Sequence, residues 1–571
     1  MAATKQAKIL SCAHQSSRVH KHEQSAPARL HTCITAMQTM DVSLPLAFLH
    51  SPFLVLVLTL FVPIFFLLFF TKRSRPFGSN GGSRLPPSPW GLPVLGHLPL
   101  LGSLPHRKLR SLAQAHGPVM LLCLGGVPTV VASSAAAAQE AMKTRDLAFA
   151  SRAPVRMAEL LFYGRDIAFA PYGEHWRQGR RVCVLHLLSA RRVDSFRRVR
   201  EQEAAALLDR VRTVACASAG SRPDGSSSVV VNLTHELICY TNAIISRATF
   251  GDNGGHGIGD GLSEVFADFE ELLGTVSVGQ FVPWLAWVDT LMGLDAKAAR
   301  TSKVMDEMLE RVIADHRQRR LLRGGGRPVG DGEDDHRDFV DVLLDVSEAG
   351  DDAGGVEFDT VAIKAIVLDM FAAATDTTYT TLVWAMAELI NHPTEMRRLQ
   401  DEIRATVVSR GGSPVNEDHI AKLHYLKAVI KETLRLHAPL PLLLPRETLE
   451  DTELLGYRVP ARTRVVINAW AIGRDAETWE RAEEFVPERF VDKLVDDFRS
   501  VPFGAGRRGC PGVGFAAPSI ELALASLLYH FDWELSTAAA AGASKMDMSE
   551  LYGLSVRLKA TLHLVAKPWS P

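Results

Sequence analysis

The stretch "PFGAGRRGCPGVG", residues 502–514, sets one cysteine, Cys510, among Gly504, Gly506, Gly509, Gly512 and the cations Arg507 and Arg508. A cysteine so placed could be a metal ligand, half of a disulfide, a nucleophile or a buried thiol. The chain has seven cysteines (Cys12, Cys33, Cys123, Cys183, Cys216, Cys239, Cys510), scattered and odd in number, with no C-x-x-C pair. That argues against a disulfide framework and against zinc or iron–sulfur binding, which need several soft ligands close together. A catalytic thiol needs a neighbouring base, and no local signature supplies one. The glycines serve a special backbone path, which disfavours an inert core thiol.

Haem iron differs from the other metal sites, because the porphyrin fills four of its positions and a single protein thiolate suffices. Glycine turns let backbone amides approach the sulfur and tune it. Pro511 has no N–H, which leaves Gly512 and Val513 as donors. Arg508 is placed to meet an anionic propionate.

Other segments carry unusual polar groups. "FAAATDTTYTTLVWA" puts Asp376, Thr377 and Thr378 inside a long apolar stretch. Four consecutive polar residues, Thr375–Thr378, span all sides of a helix, so some face inward, and their hydroxyls can bond the preceding turn. "KETLR" puts Glu432 and Arg435 one turn apart on one helix face. Alone, that pattern is usually a surface ion pair. In "GEHWRQGRR", Trp176 and Arg180 are four apart and share a face.

Together these segments resemble the haem-thiolate monooxygenases, the cytochrome P450 superfamily. Phe503, Gly506, Arg508, Cys510 and Gly512 match its F-x-x-G-x-R-x-C-x-G pattern. The resemblance implies that Cys510 is the axial iron ligand and that Phe503, Arg508, Gly512, Trp176, Arg180 and Arg446 hold haem b. Asp376 would pass protons inward and Thr377 would hold dioxygen. Glu432, Arg435 and Arg489 of "PERF" would form a buried structural network. Ala374 stands where the family usually has Gly, and Ala438 replaces a common proline. The resemblance covers nearly all of residues 41–567 and is nearest to plant A-type enzymes of specialised metabolism.

A net charge of −1 and the lack of a dense basic stripe give no support to a nucleic-acid partner. "FLVLVLTLFVPIFFLLFF", Phe53–Phe70, is uncharged, long enough to cross a bilayer, and followed by Lys72, Arg73 and Arg75. The expected plan is a basic N-terminal extension (1–39), a membrane anchor (40–71), a Gly/Ser then Pro-rich hinge (72–95) and a catalytic domain (96–571). The catalytic domain is expected to be mainly α with minor β sheets, on the cytosolic side of the endoplasmic reticulum. Helices are expected at Glu203–Val214, Asp359–Asn391 and Ile420–His437, strands at Val119–Ser133 and Tyr457–Trp470, and loops at 323–338 and 348–355. Pro518, early in the helix after Cys510, is expected to kink it.

The implied reaction inserts one oxygen atom into a small lipophilic plant metabolite. Electrons come from NADPH through a reductase, with cytochrome b5 as a further partner and lipid around the anchor. The pocket is expected to draw on Arg152–Ala168, Asp369–Thr377, Pro439–Leu444 and the region of Leu551–Leu554, including Phe371, Ala372 and Leu442. Two rivals are a haem-thiolate isomerase or dehydratase needing no reductase, and a non-catalytic haem-binding protein. The acid–Thr pair Asp376–Thr377 argues against both.

Overall fold

The computed structural model describes residue 60 and residues 84–217, 230–254, 262–322, 337–348, 358–408, 414–491, 498–536 and 545–570. The extension, most of the expected anchor and hinge, and most of both expected loops lie outside the described residues. Two compact units are present, Met1–Gly82 and Ser83–Pro571, and the second is described here.

Apolar residues fall on every side of Thr360–Asn391, so this helix can be satisfied only at the centre of the protein. It is buried along nearly its whole length. Its start is fixed by Asp359, whose side chain accepts from the Ala362 amide at 2.8 Å. Within it Thr377 Oγ1 donates to the Ala373 carbonyl (2.6 Å) and Thr381 Oγ1 to the Thr377 carbonyl (2.8 Å). The threonine cluster therefore bonds back onto its own helix, which continues unbroken to Asn391.

In chain order the helices of nine or more residues are α1 (Pro105–His116), α2 (Glu174–Val182), α3 (Arg197–Ala217), α4 (Leu233–Gly254), α5 (Leu262–Gly274), α6 (Leu294–Leu322), α7 (Phe339–Glu348), α8 (Thr360–Asn391), α9 (Pro393–Val408), α10 (His424–Leu436) and α11 (Val513–His530). Around α8 pack α4, α10 and α11, with α7 and α9 beside them. α11 contains Pro518 yet runs unbroken from Val513 to His530, so the proline does not end the helix. It is also, among the described residues, the one helix long and apolar enough to cross a membrane, but it is mostly buried in the core.

Strands form in both expected regions, 119–133 and 457–470, and also in segments that the sequence reading did not place; one strand boundary and one helix boundary are corrected. β1 (Val119–Leu124) and β2 (Val127–Ala132) form a hairpin. β2 runs parallel to β8 (Arg464–Ile467), which pairs with β5 (Arg446–Glu447), which pairs with β3 (Ser151–Arg152). β6 (Thr452–Leu454) and β7 (Tyr457–Val459) form a hairpin. β4 (Val230–Asn232), β12 (His563–Pro568) and β9 (Phe531–Leu535) make a three-stranded sheet, and β10 (Glu550–Tyr552) pairs with β11 (Val556–Leu558). The expected strand to Trp470 stops at Ile467. Asn468 caps a short helix, Ala469–Ile472, by accepting from the Ala471 amide at 3.0 Å. The helix expected from Ile420 begins at His424, because Asn416 caps a separate turn, Glu417–Ile420, with its own capping box. The Pro-rich stretch belongs to this unit from Arg84 onward, where Pro87 accepts from the Leu121 amide of β1 at 2.9 Å.

One register matters for the site. Arg152 of β3 lies directly opposite Arg446 of β5. Like charges in that relation repel, so the pairing calls for an anion nearby.

Candidate functional site

The glycines around Cys510 are needed by the backbone they sit in. Gly506 has φ 68°, and a Cβ there would lie 2.1 Å from the Met142 carbonyl oxygen, so any other residue collides. The loop closes with the Cys510 amide donating to the Phe503 carbonyl at 2.9 Å. α11 then starts at Val513, which puts the Cys510 sulfur at the positive end of that helix. The amides of Gly512 and Val513 both point at the sulfur, the two donors expected from the sequence. Burial pushes the thiol's pKa up, while those amides and the Arg180 charge pull it down. Cys510 keeps open surface although it lies deep in the fold, because that surface faces an internal cavity.

The cavity, of about 240 Å³, is mostly apolar. Cys510, Pro511 and Phe503 form one side of its lining, and Ala373, Ala374 and Thr377 of α8 contribute another. Ala374 thus does line the space, in keeping with a methyl that narrows it. Leu440, Leu443 and Leu444 also contribute. Four expected lining groups do not. Phe371 stacks on Phe266 at 3.9 Å, Leu442 packs into the core beneath β1, and Leu551–Leu554 lie outside the lining. Ala372 is likewise buried in the core.

Four guanidiniums border the cavity: Arg152, Arg180, Arg446 and Arg508. Arg508 donates to the carbonyls of Ala150 (2.7 Å), Ala170 (2.8 Å) and Ile167 (3.3 Å) and lies 3.9 Å over the Trp176 ring. Trp176 Nε1 donates to the Ile167 carbonyl at 3.0 Å. Arg180 donates to the Gly509 carbonyl at 2.7 Å, and Arg446 to Ala505 at 3.0 Å. Arg152 donates to Ala168 (2.8 Å) and Leu444 (2.9 Å). None of these partners carries a charge. Burial lowers the pKa of all four; the charges of its neighbours lower Arg508 further, to about 9, while Arg446 falls to about 10.

The acids here do not balance them. Asp166 and Asp369 form a buried pair raised by burial and, for Asp369, by the charge of Asp166. Asp369 Oδ2 accepts from the Ile167 amide at 2.6 Å, which ties the segment before α2 to α8. A thiol opening into an apolar cavity beside four cations that Asp166 and Asp146 compensate only in part fits a flat apolar group that carries iron and two carboxylates. The residues present therefore fit haem.

Elsewhere the sequence-predicted residues divide. Glu432 and Arg435 are fully buried, joined at 2.7 and 2.8 Å, and Arg489 Nε reaches Glu432 at 3.3 Å. Arg435 also donates to the carbonyls of Gly473, Ala482 and Glu484. The E-x-x-R pattern is thus a core network and no surface pair. Thr377 lines the cavity, whereas Asp376 does not; it turns toward Arg557 of β11, whose Nε is 3.9 Å from its Oδ1. The sequence reading placed Arg152 and Asp369 only within lining ranges, without their charges, and did not single out Tyr379 or Arg557. Only strand register and helix packing bring those residues to it.

Known proteins agree with this geometry. Residues 86–549 match the family described as cytochrome P450. A protein of Prunus mume, cytochrome P450 736A117, is 44% identical over 88% of this chain and 94% of its own length. Cytochrome P450 71A1 of Persea americana is 46% identical over 83% of this chain and 91% of its own. The (+)-menthofuran synthase of Mentha piperita is 42% identical, covering 88% and 97%. A solved zebra fish cytochrome P450 with abiraterone superposes with TM-score 0.67 at 25% identity, over 82% of this chain and all of that one. The chain belongs to the cytochrome P450 family.

Proposed function

We propose that this chain is a plant monooxygenase in which Cys510 holds haem b, and Phe503, Gly512, Trp176, Arg180, Arg446 and Arg508 seat it. The observation that carries the reading is the convergence on one cavity of the Cys510 thiol, three buried guanidiniums and the half-buried Arg180, and the Ala373–Thr377 turn of α8. Haem supplies the redox chemistry when bound; the protein orients the substrate, excludes water and handles protons. The overall reaction balances as substrate plus O2, NADPH and one proton giving the singly oxygenated product, water and NADP+. Thr377, with its hydroxyl already held by the Ala373 carbonyl, stands at the cavity wall, and Asp376 behind it is the proton carrier.

The mostly apolar lining favours a small lipophilic substrate. A relative named for menthofuran synthesis supports a terpenoid among the skeletons to test first. Electrons arrive from an NADPH–cytochrome reductase, with cytochrome b5 as an additional donor. Four basic residues suit an acidic partner surface: Arg177, Arg181, Lys427 and Arg507. Arg177 pairs with Glu174, Arg507 with Asp146 and Lys427 donates to the Ala421 carbonyl, while Arg181 is exposed for docking.

The apolar run Phe53–Phe70 supports a single anchor in the endoplasmic reticulum membrane, with the catalytic unit on the cytosolic side. Exposed Trp284, Trp287, Leu291 and Met292 offer an apolar surface suited to lipid contact.

The test uses microsomes carrying the full chain with a plant NADPH reductase and a terpenoid-rich extract, followed by mass spectrometry. Products heavier by one oxygen and dependent on NADPH support the reading. Conversion without NADPH or oxygen would move the chain to the isomerase class.

A further inference from the structure

Phe339 lines the cavity together with Phe515 and is the first residue of α7. The rings of Phe196, Phe339 and Phe515 pack together, with centroids 5.4, 6.1 and 6.1 Å apart. Phe515 lies in the first turn of α11, so the cluster backs the segment that follows Cys510.

The residue before Phe339 caps α7: Asp338 Oδ1 accepts from the Asp341 amide at 2.9 Å. Asp338 Oδ2 faces His316 of α6, whose Nε2 is 3.0 Å away. The two side chains are buried, at 5% and 1% exposure. The other ring nitrogen, Nδ1, lies 2.7 Å from the Val312 carbonyl oxygen. Each ring nitrogen therefore faces an acceptor, and a bare lone pair on either would repel an oxygen. The ring satisfies both acceptors only as the imidazolium, with a proton on each nitrogen.

Among the described residues, few other charges reach this ring. Arg319 Nη2 lies 3.1 Å from Nδ1 and 3.3 Å from Nε2, near-equal distances that set it over the ring face, where its charge opposes the proton. From α7, an Asp341 carboxyl oxygen lies within 4.8 Å of both His316 and Asp338 and favours the proton. α4 brings Gly251, where a Cβ would lie 2.8 Å from Asp338 Oδ2, while Asp252 beside it pairs with Arg247 at 2.6 Å. Lys364 of α8 is held by Asp306 and Glu310, earlier on α6. Burial and Arg319 oppose the imidazolium, but the Asp338 bond and charge and the Val312 carbonyl outweigh them and raise its pKa above 6.5.

We propose that His316 and Asp338 are positioning residues for the haem seat, their ion pair fixing the first turn of α7 and so holding Phe339 against Phe515 as cavity wall. The proposal rests on the reading that Cys510 holds haem. When His316 gives its proton to water, one ring nitrogen turns a lone pair on an oxygen, and the capped turn loosens with the wall it carries. The rest of α7 stays docked, because Arg320 of α6 donates to the Asp341 carbonyl (3.0 Å), Asp345 (2.6 Å) and Glu348 (2.7 Å). An imidazole with a raised pKa stabilises the fold fully below 6.5 and loses that contribution as pH rises through the raised value. Haem release should quicken over the same rise.

The test follows haem transfer from the solubilised full chain to apomyoglobin across pH. In the parent, transfer is expected to quicken about tenfold as pH climbs above 6.5. His316→Gln should release haem at the faster rate at every pH. His316→Lys, which stays charged opposite Asp338, should keep the slower rate across the same range. Phe339→Leu should shrink the pH step, because that ring links the pair to the cofactor. A step of equal size in the parent and in His316→Gln would overturn the proposal and leave the haem reading intact. So would a step that appears in melting temperature and not in haem transfer, since the pair would then serve the fold alone. A parent without the carbon monoxide band of thiolate-bound haem would overturn the haem reading, and this proposal with it.

Discussion

The Arg508 guanidinium lies 3.9 Å over the indole of Trp176, and both donate to the carbonyl of Ile167. Two sequence motifs far apart in the chain are thereby fused into one wall, with the segment before α2 clamped between them. Stacking and a rigid three-way fork are things a lysine cannot supply. Arg508→Lys should leave the chain folded but weaken haem retention by about 2 kcal/mol or more, read as faster haem transfer to apomyoglobin. Retention equal to the parent would show that the stack has no part in seating the cofactor.

The Glu432–Arg435 pair answers to different physics. Both side chains are fully buried, so removing one charge leaves the other without compensation. Glu432→Gln should destabilise the fold by about 3–5 kcal/mol, seen as a fall in melting temperature and in the yield of folded protein. A loss under about 1 kcal/mol would mean the pair behaves like one at the surface.

Acid sensitivity should trace in part to Glu550. Burial alone would raise its carboxyl, but hydrogen bonds from His106 and Arg107 overcome this and hold it down at about 2. A depressed carboxyl pKa stabilises the fold above its unfolded value of 4.5 and loses that benefit as pH falls toward 2. Glu550→Gln should therefore cost about 2–3 kcal/mol at pH 7. The gap from the parent should close between pH 4.5 and 2 in melting curves; a gap that persists at low pH would contradict this.

Ala374 lines the cavity from within α8. Ala374→Gly should cost about 1 kcal/mol of stability while opening space beside Thr377. Bulkier substrates should then give larger spectral binding shifts, and unaltered shifts across a size series would show that this methyl does not set the space.

Much of this was readable from residue order alone. Cys510, its Gly512 and Val513 donors and the central helix from Asp359 to Asn391 follow from local pattern, because each depends on near neighbours or a long apolar run; the buried Glu432–Arg435–Arg489 network came from the family resemblance, since E-x-x-R alone reads as a surface pair. What escaped depends on tertiary register. Arg152 becomes part of a cation cluster only because β3 pairs with β5 opposite Arg446. Arg557 meets Asp376 only because β11 approaches α8 from a different part of the chain. Phe371 was expected in the pocket on the strength of its position in α8; stacking on Phe266 removes it. The two misplaced boundaries, at Ile420 and Trp470, both fell where an asparagine cap starts a short helix.

The central claim is that the thiolate of Cys510 holds the haem. The most direct measurement is the carbon monoxide difference spectrum of the reduced full chain in microsomes, beside that of Cys510→Ser. The account predicts the strongly red-shifted Soret band of thiolate-bound haem in the parent and its loss in the variant. The same band in Cys510→Ser, or none in a well-expressed parent, would contradict it.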